Sequence, residues 1–214
     1  MEHGQALRRG LREVHEVGDV EAPYVQLAGR TDGAIARDLL LAAGIEASRI
    51  DKSVAEVRDA TSQAYADLCP ADLSHLIAPG ISELLEELSG LPERFRLSLL
   101  TGNFEPVARL KLQRAGIGGY FPPGQGAFGS DAEAREELPA VARERAGALN
   151  GGRTWPRERT VIIGDTPRDV SAARADRLRC IAVATGPFPV EELRDADHVA
   201  RNGHEIAVLL RELE

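Results

Sequence analysis

Short apolar segments alternate with helical segments from about residue 79 onward, and this alternation limits the possible fold more than any other feature. Residues 180–184 are apolar throughout, and residues 160–163 nearly so. A strand that is apolar on both faces needs cover on both, which parallel sheets obtain from flanking helices. The pattern therefore predicts an α/β fold with a doubly wound parallel sheet. The predicted strands are 95–100, 160–163 and 180–184, and the predicted helices are 81–88, 105–115, 132–149, 170–175 and 204–213.

The first 75 residues show helical periodicity only. The predicted helices are 6–17, 34–41 and 52–68. Thr31 or Asp32 would cap the start of the second of these helices. We therefore divide the chain into a helical module over residues 1–75 and an α/β module over residues 76–214. The Gly- and Pro-rich segment 116–129 is predicted to be a loop with at most one short strand.

Composition excludes several classes of partner. The formal net charge of −8 argues against nucleic acid, because phosphate backbones are bound by clustered Lys and Arg. No apolar run approaches the roughly 20 residues of a membrane span, and the opening residues lack the pattern of a signal peptide. Cys69 and Cys180 form no CxxC pair and are expected to be free thiols. We therefore expect a cytoplasmic protein, and the sequence carries no indication of its oligomeric state.

Polar residues follow the first predicted strand at the edge where α/β sheets bind ligands. Thr101, Gly102 and Asn103 lie between strand 95–100 and the next helix. The Thr hydroxyl and the free backbone N–H groups of such a turn suit a phosphate oxygen. A simple Thr or Asn cap on the following helix would explain the same residues.

Two carboxylates and one arginine mark two further turns. Asp165 and Asp169 follow strand 160–163, and hard oxygen ligands at this spacing suit Mg²⁺. Alternatively, Asp169 is a helix cap and Asp165 a turn residue. Arg135 lies near the start of the predicted long helix, where it could bind a phosphate and pair with nearby carboxylates. Taken alone, it could equally be a solvated helix residue.

Taken together, these segments resemble the motifs of the haloacid dehalogenase superfamily, which includes phosphatases with an aspartate nucleophile. Leu-Leu-Thr-Gly-Asn at 99–103 is similar to the second motif of that family. Arg135 occupies the place of the basic residue of the third motif, and Gly-Asp-Thr-Pro-Arg-Asp at 164–169 is similar to the fourth. The chain looks most similar to phosphoglycolate-phosphatase-like members, whose helical cap matches residues 1–75.

The resemblance implies a Rossmannoid core with a helical cap and Mg²⁺-dependent hydrolysis of phosphomonoesters through an aspartyl-phosphate. Thr101 and Arg135 would hold the phosphoryl oxygens, with Gly102 and Asn103 completing the phosphate turn. Asp165, with Asp169 in support, would hold Mg²⁺. The substrate would be a small phosphorylated metabolite.

The same resemblance also bears on substrate selection and on the other reactions that this fold could carry. The cap residues Arg30, Thr31 and Asp32 would help to select the leaving group, although a plain helix start explains them equally well. A haloacid dehalogenase or a sugar phosphomutase would share the core. Dehalogenation needs no metal, so the acidic pair and Arg135 favour phosphate chemistry.

One motif of the family is missing from residues 1–214, namely an apolar strand that ends in Asp-x-Asp-Gly-Thr and supplies the nucleophile. A helical pattern already runs at residue 5. We therefore expect strands 95–100 and 160–163 to face a gap with unpaired backbone edges, and the chain as given to be inactive. Three explanations stay open: a strand encoded in frame upstream, which we favour, a phosphate-binding protein without catalytic activity, and a strand supplied by another chain.

Three smaller features complete the sequence-based expectations. Asp176 and Arg177 replace the small residue and Gly with which relatives end the corresponding helix, and little energetic cost is expected. The five histidines form no HxH or HExxH pattern and are expected to be ordinary surface or core residues. Trp155 is expected to anchor packing rather than to contact a ligand.

Overall fold

The structure is a computed structural model that describes residues 2–18, 27–148 and 151–212. Its helices are α1 (Glu2–His15), α2 (Asp32–Ala42), α3 (Ala47–Lys52), α4 (Val54–Leu68), α5 (Ile81–Ser89), α6 (Glu105–Arg114), α7 (Leu138–Ala148), α8 (Pro167–Ala175) and α9 (Gly203–Glu212). Its strands are β1 (Leu100–Thr101), β2 (Ala127–Phe128), β3 (Val161–Gly164), β4 (Arg179–Val183) and β5 (His198–Ala200). Residues 149 and 213, the predicted ends of two helices, lie outside the described residues.

All described strands pair in parallel, which confirms the α/β class. They form two separate ladders rather than a continuous one: β1 pairs with β2, and β3, β4 and β5 follow one another in that order. Strand β4 is buried over four of its five residues, since neighbours flank it on both sides. Among the described strands, β1 and β3 do not pair with each other, so the expected gap between them is present.

The predicted strand 95–100 is wrong over most of its length. Of this segment, only Leu100 joins a ladder, where it pairs with Ala127 of β2. The reason is geometric, because strand structure needs a neighbour and β2 is itself only two residues long. Strands β3 and β4 lie within one residue of their predicted positions. Strand β5 was not predicted, although the loop strand expected within 116–129 is present as β2.

Two predicted helices begin later than expected because side chains bond to the backbone there. The segment predicted as helix from 132 instead forms a turn in which the Asp131 carboxylate accepts a hydrogen bond from Phe128 N. A short 3-10 helix at Arg135–Glu137 follows, and only then does α7 begin. The helix predicted over 52–68 is divided at Ser53, whose hydroxyl bonds back to the carbonyl of Arg49. Such local bonds compete with helix hydrogen bonds.

Helices α1, α2 and α4 share one apolar core with the α/β module. The core contains buried Leu11 of α1, Leu40 of α2 and Tyr65 of α4. Phe104 and Val107, at the start of α6, belong to the same cluster. The helical layer is therefore held directly against the loop and helix that follow β1, and this packing places α1 and α2 beside the carboxyl ends of the strands.

Candidate active site

The residues predicted to carry the chemistry lie together around one cavity. Its volume is about 410 Å³, and it opens where β1 and β3 end. Thr101, Gly102, Asn103, Arg135, Asp165 and Asp169 all line it. The helical layer supplies the remaining wall, including His3, Arg8, Arg30 and Asp32. The three turns that the sequence analysis assigns to one site, although they are far apart in the chain, therefore line the same cavity.

The turn after β1 is pinned against the start of α2. The Gly102 carbonyl accepts a hydrogen bond from Asp32 N at 2.7 Å. A Cβ atom at Gly102 would overlap the carbonyl of Arg30, so only glycine allows this close approach. The Thr101 hydroxyl accepts a hydrogen bond from Asn103 N at 3.2 Å, which leaves its own proton available for a ligand.

Asn103 is held by its neighbours rather than directed at the cavity alone. Its Oδ1 atom accepts a hydrogen bond from Lys111 Nζ at 2.7 Å. Its Nδ2 atom lies 3.5 Å from the Asp32 carboxylate. Lys111 is partly buried, and this burial lowers the pKa of its ammonium group. Both ends of the Asn103 amide therefore face protein groups, which makes it a structural part of the turn.

The acidic turn between β3 and α8 is a capping box. The Thr166 hydroxyl accepts from Asp169 N, while the Asp169 carboxylate accepts from Thr166 N at 3.1 Å. The same Asp169 oxygen also accepts from the Thr166 hydroxyl at 2.8 Å. A Cβ atom at Gly164 would overlap this carboxylate, so the glycine makes room for the cap. One of the two Asp169 carboxylate oxygens therefore caps α8, as the helix-cap interpretation predicts.

The second Asp169 oxygen holds Arg135. It lies 2.5 Å from Arg135 Nη2, and both side chains are nearly inaccessible to solvent. Arg135 Nε is buried and has no hydrogen-bond partner among the described residues. A buried guanidinium N–H without an acceptor costs free energy, and an anion bound in the cavity would satisfy it. Because both of its oxygens are engaged, Asp169 is placed to position Arg135 and the helix start.

Asp165 differs from Asp169 because no described side chain donates a hydrogen bond to it. Burial raises the pKa of its carboxyl above the ordinary value, and the negative charge of Asp169 raises it further. Asp165 is a half-buried carboxylate with no side-chain donor among the described residues, and its cavity also holds the Arg135 Nε–H, which has no acceptor there. This combination fits a cation shared with an anionic ligand. Mg²⁺ is bound in this manner, through one or two carboxylates with waters and substrate phosphate. No cluster of three or more metal-binding side chains occurs among the described residues.

Asp165→Asn is expected to stabilise the fold at pH 7. The raised folded-state pKa means that ionisation costs stability once the pH exceeds the unfolded value, about 3.9. Asn avoids this cost, so its advantage should be present at neutral pH and disappear below about pH 4. Urea unfolding at pH 7 and pH 3 measures the difference. Asp59→Asn, at an exposed carboxyl, is the control; a gain equal to the control at pH 7 would contradict the argument.

The segment formed by Arg30, Thr31 and Asp32 combines structural contacts with access to the cavity. The Thr31 hydroxyl caps α2 by accepting from Ala34 N at 3.1 Å and donates to the Glu133 carbonyl. Arg30 pairs with Asp38 at 2.6 Å. The helix-start interpretation therefore holds for Thr31, while Arg30 and Asp32 also line the cavity.

His3 was missed by sequence reasoning. Its Nε2 atom lies 3.0 Å from the Asp32 carboxylate, which is almost fully buried and also accepts from Phe104 N at 2.8 Å. The two residues are 29 positions apart and form no recognisable motif. His3 lies three and four positions before the buried Ala6 and Leu7, and this helical spacing is the sequence signal that its side chain shares their inward face.

Parallel ladders flanked by helices, with a ligand-sized cavity at the strand ends, define a doubly wound α/β protein of the Rossmannoid class. The sequence matches the haloacid dehalogenase-like hydrolase family over residues 19–174. This is most of the chain, and the protein belongs to that family. A comparison with curated protein sequences gave no match.

Solved structures show the same fold at low identity. A β-phosphoglucomutase from Clostridium difficile superposes with a TM-score of 0.68 and 16% identity, covering 99% of this chain and 89% of that one. CbbY from Rhodobacter sphaeroides, solved with phosphate, gives 0.64 and 19%, covering 96% and 90%. A predicted phosphoglycolate phosphatase from Haemophilus somnus gives a TM-score of 0.62 and 16% identity, covering 98% of this chain and 90% of that one.

No described helix is long and apolar enough to cross a membrane.

Proposed function

We propose that the cavity binds the phosphoryl group of a small phosphorylated metabolite together with Mg²⁺. The observation that carries this proposal is the buried Arg135 Nε, which has no acceptor within the described part of the chain and lies in a cavity shared with the Thr101 turn and Asp165. Charge-assisted hydrogen bonds from an arginine to phosphate are among the stronger polar contacts in proteins. Family membership supports the same chemistry, since several structural neighbours carry phosphatase or phosphomutase names.

Each of the site residues has a separate proposed role in binding the phosphoryl group and Mg²⁺. The Thr101 hydroxyl and the Gly102 N–H donate to phosphoryl oxygens, and Arg135 supplies the positive charge. Asp165 holds Mg²⁺, which neutralises phosphoryl charge when bound. Asp169 keeps Arg135 in place, and so acts on the ligand through its neighbour. Asn103 shapes the turn rather than contacting phosphate through its side chain.

We infer that residues 1–214 alone bind phosphomonoesters without hydrolysing them. A covalent mechanism needs a free carboxylate facing phosphorus, and the family supplies it from its first motif. Asp32 is engaged by His3 and Phe104, Asp169 by Arg135 and Thr166, and Asp165 is assigned to the metal. The alternative function, a phosphate-binding or interaction protein, makes the same prediction for this chain.

Calorimetric titration with inorganic phosphate, with and without MgCl₂, tests the binding site. We expect Mg²⁺ to strengthen phosphate binding, and absence of binding in both conditions would overturn the proposal. A phosphate-release assay over a panel of phosphomonoesters tests the inference about catalysis. We expect no turnover above buffer, and release that is abolished by Arg135→Gln would show that a nucleophile is present after all.

We propose that residues 1–75 act as a cap over a core formed by residues 76–214. This division is supported by the contribution of α1 and α2 to the cavity wall. We place the protein in the cytoplasm, because Cys69 and Cys180 are both free thiols. Unpaired thiols suit a reducing compartment.

A further inference from the structure

Arg135, the proposed phosphate ligand, follows a segment of chain without regular structure. Between β2 and the short 3-10 helix that begins at Arg135, residues 129–134 form neither helix nor strand. Ser130 ties the first half of this segment to α6, since its hydroxyl accepts a hydrogen bond from Glu105 N at 2.9 Å. Other contacts are needed to fix residues 132–134, which lead directly into Arg135.

Glu133 joins this segment to α2 through three hydrogen bonds. Its two carboxylate oxygens accept from Arg37 Nε at 2.6 Å and from Arg37 Nη2 at 2.8 Å. Its backbone carbonyl accepts from the Thr31 hydroxyl at 2.6 Å. Among the described residues, the other hydrogen bond of residues 132–134 belongs to the start of the 3-10 helix. The helical layer therefore holds the part of the chain directly before Arg135.

Arg37 is itself held by carboxylates on both sides. Its Nη2 atom also lies 2.6 Å from an oxygen of Asp51 in α3. Hydrogen bonds to Glu133 and Asp51 raise the pKa of Arg37 above its ordinary value. An arginine that donates to both oxygens of one carboxylate forms a stronger and more directional pair than a single contact does. Only 26% of the Arg37 side chain is exposed, so this contact is better defined than a typical surface ion pair.

Arg37 and Glu133 lie outside the set of described residues that line the phosphate cavity. Arg135 comes two residues after Glu133, and its guanidinium pairs with Asp169 in the cavity wall. A displacement of Glu133 would therefore move the chain that carries Arg135 without removing any group from the cavity. This arrangement separates Arg37 and Glu133 from the residues that would contact phosphate directly.

We propose that Arg37 is a positioning residue for phosphate binding, because through Glu133 it holds the segment that presents Arg135 to the cavity. This inference rests on the proposed function, since it takes Arg135 as the phosphate ligand. It adds that phosphate affinity depends on a contact between the helical layer and the α/β module. Linkage makes the effect reciprocal, so bound phosphate in turn strengthens the contact between Arg37 and Glu133.

The sign of the effect at Glu133 separates positioning from charge. Titration of the full chain with inorganic phosphate in MgCl₂ compares the wild type with Arg37→Gln and with Glu133→Gln. Loss of the contact should weaken phosphate binding by about three- to tenfold in both variants. Charge alone predicts opposite effects, because removal of a negative charge near the site strengthens the binding of an anion. Unchanged or tighter binding in Glu133→Gln would overturn the proposal.

Three further variants control for charge and for local structure. Glu136→Gln removes an exposed carboxylate from the 3-10 helix, and Arg9→Gln removes an arginine of α1 that pairs with Asp67. Both should bind phosphate within about twofold of the wild type. Arg37→Lys keeps the positive charge but cannot donate two parallel hydrogen bonds to Glu133, so it should show part of the loss. Wild-type affinity in Arg37→Lys would mean that only charge at this position matters, which contradicts the proposal.

A double variant tests whether Arg37 acts through Arg135. In the Arg135→Gln background, Arg37→Gln should cost no further phosphate affinity, whereas two independent contributions would add. Additive losses would overturn the proposal. Amide hydrogen exchange gives a second readout, because saturating phosphate should slow exchange over residues 34–42 of α2 in the wild type but not in Glu133→Gln. Equal slowing in both proteins would contradict the reciprocal effect.

The same titrations distinguish failure of this inference from failure of the proposed function. If the wild type binds no phosphate, or if Arg135→Gln costs no affinity, the proposed function is wrong and the positioning role of Arg37 is wrong with it. If Arg135→Gln weakens binding and Arg37→Gln does not, the phosphate site stands and only the positioning role is overturned.

Discussion

Asp176→Asn is expected to lower the free energy of unfolding by about 3–5 kcal/mol, the usual cost of leaving one partner of a buried ion pair alone. Arg143 contacts both carboxylate oxygens of Asp176, at 2.6 and 3.0 Å, and both side chains are buried. Arg157 adds a third contact at 2.8 Å. Asn would keep the shape but leave the Arg143 charge without a counter-charge in the interior.

Urea unfolding at pH 7 measures this effect. Glu87→Gln is the matched control, because its pair with Arg211 is exposed and joins α5 to α9 across the surface. Exposed pairs of this kind contribute about 0.2–1 kcal/mol. If Asp176→Asn lowers the free energy of unfolding by no more than Glu87→Gln does, the buried pair adds no stability beyond that of a surface pair.

The pH dependence has a defined sign. Burial favours a raised pKa for Asp176, but the hydrogen bonds from Arg143 and Arg157 outweigh it and hold the pKa below its ordinary value. Stability from this group is therefore complete above the unfolded pKa, about 3.9, and is lost as the pH falls through the lower folded value. The difference between the wild type and Asp176→Asn should shrink in that acidic range.

This cluster contains contacts that the local sequence does not reveal. The departure at Asp176 and Arg177 was expected to cost little, because it was judged only against the helix ending that relatives use. In the structure, Arg177 adopts the left-handed backbone conformation with φ of 57°, which a side chain makes unfavourable. Asp176 instead gains a partner that lies 33 residues earlier in the chain. Nothing in the local sequence indicates that pairing.

The positions of the site residues were easier to predict from the sequence than the contacts that hold those residues in place. Thr101 and Asp165 follow apolar segments directly, and the carboxyl ends of parallel strands meet at one edge, so local patterns were enough to group them. The Asp169–Arg135 contact and the role of His3 depend on tertiary packing, and the spacing did not reveal them. Strand 95–100 failed for a similar reason, since an apolar pattern predicts strand structure but the ladder also needs a neighbour.

Arg135→Gln is expected to weaken phosphate binding by about ten- to a hundredfold, which corresponds to the loss of a charge-assisted hydrogen bond. Gln retains hydrogen-bonding capacity but removes the positive charge and the Nε–H group, for which the described residues provide no acceptor. It also leaves Asp169 without its cation, although Asp169 keeps its bonds to Thr166. Phosphate titration in the presence of MgCl₂ measures the effect.

Two comparison variants separate charge at the site from charge elsewhere. Arg145→Gln removes an arginine of α7 that pairs with Asp131 and does not line the phosphate cavity, so phosphate affinity should stay within about twofold of wild type. Asp169→Asn keeps an oxygen near Arg135 but removes the charge that holds it, so we expect a loss smaller than that of Arg135→Gln. Equal losses in Arg135→Gln and Arg145→Gln would mean that phosphate responds to net charge only, because a defined site must distinguish an arginine in its wall from one outside it.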